Sequence, residues 1–383
     1  MRTRKPNIDK KEKKEKRQRK HLRFFLCLLV LACIGCAYFY YINVYLSSHE
    51  PSVSAKTTTC ESTVDFSHQK FFLSLYPDIK EAAFKGKATE LDYGTYIIPG
   101  LSATETQIYN QKNSSDICSS MTPQGLAVTE DYILVSAYCF TGTHNSVIYV
   151  IDKKSHDFVK EIVLRNKAHV GGLAYDPIHQ NIWIAGSSNG LPQVNAITLN
   201  QLENYNFQDG YTPITYSQSY DLYAINRSSF LTYYDCSLYV GYFAEDTSSV
   251  LEEYAITEDG TLATEIPEEP LGTSDSLAPV ALPCDVKVIT EQAQGVAFYK
   301  NKILFSQSYG PFPSSLQVHY NTIQKLLEKD SMIEKVYFPE KMEQIYVDGD
   351  DLYVLFESAA HGYHASSLCK IDRILKLDLT KLL

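Results

Sequence analysis

A short pattern of two apolar strands joined by a polar turn occurs five times in this chain, and it limits the possible folds more than any other feature. Three copies are clear and two are degenerate; in chain order they lie at residues 123–138, 170–185, 228–242, 294–309 and 342–357. A strand-built repeat of roughly 40–50 residues is typical of a β-propeller. We therefore predict an all-β propeller with five blades. A sixth blade remains an alternative if 205–225 or 255–290 holds a degenerate copy.

The last blade lacks a fourth strand of its own. Its inner, second and third strands are predicted at 343–348, 351–357 and 371–379, where the sequence stops. A bare third strand would leave an unprotected sheet edge. One other stretch has the length and apolar pattern of a strand, at residues 93–99. We predict that it pairs with the third strand and closes the ring.

The N-terminal 46 residues have the pattern of a membrane anchor. Residues 1–23 contain twelve Lys or Arg and three acidic residues, and residues 24–46 contain no charge. An apolar helix of this length spans a bilayer core of about 30 Å, and the basic flank stays in the cytoplasm. We predict a single-pass cell-membrane protein with a cytoplasmic tail (1–23), a transmembrane helix (24–46) and an extracellular C-terminal domain.

Two other interpretations of this segment are open. A signal peptide could be cleaved after Ala55, although its apolar core is normally only about 7–15 residues long. The sequence before Cys33 faintly resembles a lipoprotein signal, but the apolar run continues beyond that cysteine.

The remainder of the chain is acidic and divides into two predicted parts. Residues 24–383 carry 23 basic and 42 acidic side chains, a net charge of −19. Such a domain is a poor partner for nucleic acid. Residues 47–85 are predicted as an extracellular stalk with a short helix, and residues 86–383 as the propeller.

The cysteines outside the apolar run are even in number. They are residues 60, 118, 139, 236, 284 and 369. Cys118 precedes the inner strand of the first blade and Cys139 follows its second strand, so both lie at one end of an antiparallel pair. Because an exported domain favours disulfides, we predict a bond between Cys118 and Cys139. The cysteine spacings do not match a zinc site.

Propellers usually bind ligands on the face where the loops entering the inner strands meet the loops between second and third strands. The residues that we predict to lie on this channel face are Gln124, Ser136, Tyr138, His144, His169, Arg227, Gln294, Ser306, Tyr309, Glu357 and Tyr363. Amides, hydroxyls and aromatic rings dominate this set, and neither Ser136 nor Ser306 lies in a Gly-x-Ser-x-Gly nucleophile motif. His169 and Glu357 stand out as titratable groups near the channel, and structural hydrogen bonding is an alternative role for both.

Three stretches carry a resemblance to a known group of proteins. Residues 123–127 (Pro-Gln-Gly-Leu-Ala), 169–176 (His-Val-Gly-Gly-Leu-Ala-Tyr-Asp) and 182–185 (Ile-Trp-Ile-Ala) resemble bacterial propellers of the lactonase and virginiamycin-lyase-like superfamily. The chain is most similar to uncharacterised, membrane-anchored members from Gram-positive bacteria. The resemblance covers roughly residues 90–383. It implies that a divalent cation, if present, is held in the channel by a carboxylate and several amides, with Glu357 as the carboxylate.

Two functions from different classes are compatible with these observations. The first is a binding or scaffold module at the cell surface, for a cell-wall glycan, a peptide or a partner protein. The second is a metal-dependent hydrolase, lactonase or lyase with Glu357 as metal ligand and His169 as acid or base. No cofactor is expected apart from the channel cation of the second hypothesis, and the sequence leaves open whether the protein is an enzyme.

Overall fold

The computed structural model describes residues 6–83, 95–266 and 279–383. The chain divides into two compact units, Met1–His49 and Glu50–Leu383. The first unit is helical, and its elements are α1 (Pro6–Tyr40), a π-helical turn (Tyr41–Tyr45) and α2 (Leu46–Ser48). Within α1, Lys16–Tyr40 is long and apolar enough to cross a membrane, a property that a signal sequence shares.

The second unit begins with two short helices, α3 (Phe66–Leu73) and α4 (Pro77–Ala83). Asp65 caps α3, because its carboxylate accepts a hydrogen bond from the Ser67 backbone N–H at 2.7 Å. Pro77 occupies the first position of α4, where a missing N–H costs nothing. Leu73 and Ile79 are buried against the last blade. The short helix predicted within 47–85 is thus two helices separated at Pro77.

The remainder of this unit is a propeller of five blades, each with at least four strands. Three short strands precede the first complete blade: β1 (Tyr96–Ile97), β2 (Thr104–Thr106) and β3 (Asp116–Cys118). Blade 1 consists of β4 (Met121–Val128), β5 (Tyr132–Cys139), β6 (Val147–Asp152) and β7 (Phe158–Val163). Blade 2 consists of β8 (Leu173–Asp176), β9 (Asn181–Ser188), β10 (Leu191–Thr198), the helix α5 (Leu199–Asn204) and β11 (Gln218–Leu222).

Blades 3 to 5 follow the same plan. Blade 3 and the strands beside it are β12 (Phe230–Tyr234), β13 (Ser237–Gly241), β14 (Ser249–Ala255), β15 (Thr264–Glu265), β16 (Val280–Ala281) and β17 (Asp285–Ile289). Blade 4 contains β18 (Ala293–Tyr299), β19 (Lys302–Gln307), β20 (Ser314–Tyr320), β21 (Leu326–Leu327), a 3-10 turn (Lys329–Ser331) and β22 (Glu334–Phe338). Blade 5 contains β23 (Met342–Asp348), β24 (Asp351–Phe356), α6 (His361–His364), β25 (Arg373–Asp378) and α7 (Leu379–Leu382).

The two regions considered for a sixth blade supply strands to other blades. Strand β11 is the outer strand of blade 2, and β16 extends that sheet with β15 beyond it. Strand β17 is the outer strand of blade 3, and β21 pairs with it in parallel. Within the described residues, the five-bladed prediction is confirmed.

The ring closes as predicted, through a strand from before the first blade. Tyr96 of β1 pairs with Ile374 of β25, and Ile97 pairs with Arg373. The Ile98 N–H extends this ladder by donating to the Asp372 carbonyl oxygen at 2.9 Å. The closing strand was predicted at 93–99, of which residues 93 and 94 lie outside the described residues. Inner strands β4, β8, β12, β18 and β23 neighbour one another around the ring.

Part of the predicted stalk lies on the propeller. The Asp372 carboxylate is fully buried and accepts hydrogen bonds from Thr63 N–H at 2.6 Å and Val64 N–H at 2.9 Å. The Thr59 N–H donates to the Ala103 carbonyl oxygen at 2.9 Å. These bonds make the segment an integral part of the folded unit.

The side chain of Gln344 lies in the central channel, among the inner strands of the blades. Its Nε2 donates to the carbonyl oxygens of Leu173 and Leu231 at 2.7 and 2.8 Å. Its Oε1 accepts from the backbone N–H groups of Leu126 and Leu173, both at 2.9 Å. Side-chain bonds from blade 5 thus reach blades 1, 2 and 3.

Candidate functional site

A cavity of about 780 Å³ occupies the channel face on which the sequence placed the site. Its lining comes from loops that enter the inner strands, as at Arg227, from loops after the second strands, as at Tyr309, and from strand residues such as Pro192. Seven of the eleven predicted residues line it: Gln124, His169, Arg227, Gln294, Tyr309, Glu357 and Tyr363. The volume lies within the usual range for small-molecule sites. That these seven residues bind a ligand stays a prediction.

The other four predicted residues lie elsewhere. The Ser136 hydroxyl is buried between blades, where it donates to the Val170 carbonyl oxygen at 2.6 Å. Ser306 is fully buried at the equivalent position of blade 4. Tyr138 is not part of the cavity lining, and its ring stacks on the His169 ring with the two ring centres 4.1 Å apart. His144 belongs to a separate cluster beside Cys118 and Cys139.

Local strand irregularities bring polar side chains to the cavity floor. The register shifts between Pro123 and Gly125 in β4, and again between Ala293 and Gly295 in β18. The residue inside each bulge is a glutamine, Gln124 or Gln294, and both line the cavity. A bulge re-aims the side chain that it displaces, which explains why both glutamines leave the regular strand pattern.

The third bulge contains a carboxylate. In β23 the register shifts between Met342 and Ile345, and Glu343 and Gln344 lie within the shift. Glu343 faces the cavity, and Gln344 enters the channel below it. Gln344 stands where the aligned repeats have Gly125, Gly172 and Gly295. The role of Gln344 was not predicted, because its position in a degenerate repeat carries no recognisable signal.

Two carboxyl groups share the cavity floor. Glu343 and Glu357 are 3% and 5% exposed and hydrogen-bond to each other. Burial, followed by repulsion from Glu357, raises the pKa of Glu343 well above that of an ordinary carboxyl. Burial also raises the pKa of Glu357, while the nearby Lys341 ammonium opposes the rise. The two raised pKa values favour a protonated carboxyl in this pair over two adjacent carboxylates.

Gln124 connects this pair to His169. Its Nε2 donates to Glu357 Oε2 at 2.8 Å, which leaves Gln124 Oε1 as an acceptor. His169 Nε2 lies 2.6 Å from Oε1, so this ring nitrogen carries the hydrogen. The walls around the ring desolvate it, and together with the Arg227 guanidinium they lower the pKa of His169. A neutral histidine is thus joined through an amide to the carboxyl pair, although its ring surface remains open to the cavity.

The walls add positive charge and aromatic surface. The exposed Arg227 guanidinium has no ion-pair partner among the described residues. The Lys341 Nζ lies 4.5 Å from the centre of the Tyr363 ring. Phe243 and Tyr309 lie with their ring centres 6.0 Å apart. This combination can hold a ligand that has an anionic group, hydroxyl groups and some apolar surface. Lys341 and Phe243 were not predicted from the sequence.

The surroundings of Glu357 do not fit a divalent cation. Glu357 is hydrogen-bonded to Gln124 and Glu343, and the Lys341 ammonium already supplies positive charge. Gln124 Oε1 is directed to His169 rather than toward Glu357. Among the described residues, a group of three or more metal-binding side chains occurs at one place, beside Cys118 and Cys139. The assignment of Glu357 as a metal ligand stays a prediction.

The predicted bond between Cys118 and Cys139 is not formed, although the expected proximity is found. Both residues are buried free thiols. Their sulfur atoms lie within 4.8 Å of each other, as members of a group that also contains Glu50 and His144. The disulfide stays a prediction for oxidised protein.

Comparisons with known proteins assign neither a family nor a function to this chain. No family model and no curated protein matches this sequence. One solved structure with similarity is described as Kuenenia stuttgartiensis hydrazine synthase, at 9% identity and a TM-score of 0.33. The match covers 61% of this chain and 55% of the other, and a likeness at this level carries no functional argument. The sheet topology supports the propeller architecture that the resemblance implied, and no family match supports the lactonase and lyase superfamily or a Gram-positive origin.

Proposed function

We propose that this protein is a membrane-anchored propeller, displayed outside the cell, whose channel-face cavity binds a small anionic ligand rich in hydroxyl groups. An acidic saccharide unit of the cell surface has this chemistry. The observation that carries the proposal is the cavity itself, with Arg227, which forms no ion pair with any described residue, on its wall and the Glu343–Glu357 pair on its floor. The apolar helix Lys16–Tyr40 supports anchoring.

Each part of the lining has a role in such a complex. The Arg227 guanidinium offers a two-pronged contact to a carboxylate or phosphate. The Glu343–Glu357 pair both donates and accepts hydrogen bonds, as sugar hydroxyls require. Phe243 and Tyr309 supply a face for the apolar side of a sugar ring.

Calorimetric titration of the full chain in lipid nanodiscs tests this proposal. The probes are a uronic-acid disaccharide and its neutral counterpart. We expect the acidic probe to bind better, and Arg227→Ala to weaken its binding tenfold or more. Arg165→Ala is the matched control, since Arg165 is exposed and lies outside the cavity lining. Equal binding of both probes would contradict the anionic requirement, and no binding of either would contradict the saccharide proposal.

The carboxyl pair also favours a second candidate function, acid–base catalysis on the bound ligand. A pair that shares a proton can donate it to a leaving group and accept one from water. Incubation of the same probe with the protein, followed by product analysis, tests this function. Glu357→Gln should then abolish turnover while binding persists. If the probe is still intact after prolonged incubation, catalysis is contradicted and only the binding function remains.

A further inference from the structure

A second polar cluster lies beside blade 1, away from the cavity residues. Four side chains bring one ligand atom each to a common point, all within 4.8 Å of one another: Glu50, Cys118, Cys139 and His144. Cys118, Cys139 and His144 are buried, at 0%, 3% and 3% exposure, and Glu50 is partly buried. The donors are two sulfurs, one imidazole nitrogen and one carboxylate oxygen.

Local structure positions each donor. Cys118 ends β3 and Cys139 ends β5, and His144 follows in the turn after β5. Glu50 is held from both sides, because the Ser119 N–H donates to its Oε2 at 2.9 Å and the Thr141 hydroxyl donates to its Oε1. The cluster is thus arranged by backbone and hydroxyl groups that leave the two sulfurs and the His144 Nδ1 facing Glu50.

The separations match a tetrahedral zinc site. Zn–S bonds of about 2.3 Å and Zn–N or Zn–O bonds of about 2.0–2.1 Å place neighbouring ligand atoms about 3.4 Å (N to O) to about 3.8 Å (S to S) apart. His144 Nδ1 lies 3.4 Å from Glu50 Oε1 and 3.6 Å from Cys139 Sγ. Glu50 Oε1 lies 3.5 Å from Cys139 Sγ and 4.0 Å from Cys118 Sγ.

The contact that His144 makes on the side away from the cluster is also typical of a metal-binding histidine. Its second ring nitrogen, Nε2, lies 3.4 Å from Asp116 Oδ2. Histidines that bind metal usually donate their other ring N–H to a carboxylate or carbonyl, which fixes the ring and its tautomer. The orientation leaves Nδ1 as the free ligand atom, directed at the cluster. Asp116 is therefore a positioning residue in this arrangement.

We propose that Glu50, Cys118, Cys139 and His144 form a structural zinc site, unrelated to the channel-face cavity. Four protein ligands complete a tetrahedron and leave no open position for a substrate. Thiolate and imidazole donors select zinc over magnesium or calcium. Binding displaces the thiol protons into solvent. A metal here joins Glu50, the first residue of the propeller unit, to β3 and blade 1.

Metal titration of the full chain in detergent, purified with reductant and stripped with chelator, tests the site. We expect one equivalent of Zn²⁺ per chain, a rise in melting temperature on binding, and thiolate-to-cobalt charge-transfer absorption when Co²⁺ replaces Zn²⁺. Cys118→Ser and Cys139→Ser should remove all three signals. The matched control is Cys284→Ser, at an exposed cysteine outside the cluster, which should retain them.

A variant that keeps all four ligands distinguishes a specific loss of zinc binding from a loss caused by misfolding. Asp116→Asn should weaken zinc binding by about 10- to 100-fold while the metal-free melting temperature stays unchanged. Unaltered affinity in this variant would contradict the positioning role, and a cobalt spectrum unaffected by Cys139→Ser would overturn the site. A Cys118–Cys139 disulfide in protein isolated without reductant and without bound metal would also overturn it, because that bond consumes both thiolates.

Discussion

The side-chain amide of Gln344 donates a hydrogen bond to the Leu173 carbonyl oxygen at 2.7 Å, which joins blade 5 to blade 2 across the channel. The same amide also accepts from the Leu173 N–H. One side chain therefore takes the place of a neighbouring strand for backbone groups that face the propeller axis.

Removing this amide should destabilise the whole ring. Gln344→Ala leaves buried backbone groups of Leu126, Leu173 and Leu231 without partners, at about 1–3 kcal/mol for each group that water cannot reach. We expect a loss of at least about 3 kcal/mol in urea unfolding. Gln111→Ala, at an exposed amide, is the control. A change below about 0.5 kcal/mol for Gln344→Ala would show that the channel amide is dispensable.

The inner strands approach too closely for a side chain at Gly172. A Cβ there would lie 2.5 Å from the Leu231 backbone nitrogen. We expect Gly172→Ala to cost about 1–3 kcal/mol, as overpacking does. At Gly186 of the same blade, a Cβ would meet the end of the Asn195 side chain, which can move. Equal unfolding midpoints for the two alanine variants would contradict this packing argument.

The carboxyl pair should make stability fall as pH rises. Burial raises the pKa of Glu357 to about 7. A carboxyl whose pKa is higher in the folded state binds more protons there, so its stabilisation is present below about pH 4.5 and is lost as pH rises through 7. When the pH rises from 5 to 8, we expect the free energy of unfolding of Glu357→Gln to increase by about 1–3 kcal/mol relative to that of the parent.

Urea unfolding of both proteins at pH 5 and pH 8 measures this effect, and the difference between them removes the contributions of other titrating groups. Glu130→Gln is the control, since Glu130 is exposed. A parallel pH dependence for the parent and Glu357→Gln would be incompatible with a raised pKa.

The closing strand should be required for a cooperative transition. Deletion of residues 95–100 exposes the edge of β25, so we expect broad melting and concentration-dependent association. Two extra glycines after Gly349, in the exposed hairpin between β23 and β24, serve as the control insertion. The prediction fails if the deleted chain melts as sharply as the parent.

The proposed topology can be tested with cysteines that the propeller already exposes. Cys236 and Cys284 are exposed on blade 3 and beside it. A membrane-impermeant maleimide should label both in intact, reductant-treated cells, and a Cys236→Ser/Cys284→Ser variant provides the background. Labelling only after lysis would place the propeller in the cytoplasm. A mature chain that begins at Lys56 would show cleavage instead of anchoring.

The repeat predicted the blades well because apolar alternation in strands depends on local sequence. The closing strand was also predictable, since an uncovered edge at 371–379 required a partner. Gln344 was not, because its role depends on backbone groups from three other blades meeting at one point. The Glu50 cluster was missed for a related reason: Glu50 lies 68 residues before Cys118, in a segment interpreted as stalk.

The pairing of β1 with β25 also sets the timing of assembly during synthesis. Strand β1 is made before any complete blade, and its partner Arg373–Asp378 is made after all of blades 1 to 4. Blades 1 to 4 have all their strands available earlier, but the ring stays open until then. A chain truncated before residue 373 therefore lacks the closing partner of β1, so the ring can close only after blades 1 to 4 have been synthesised.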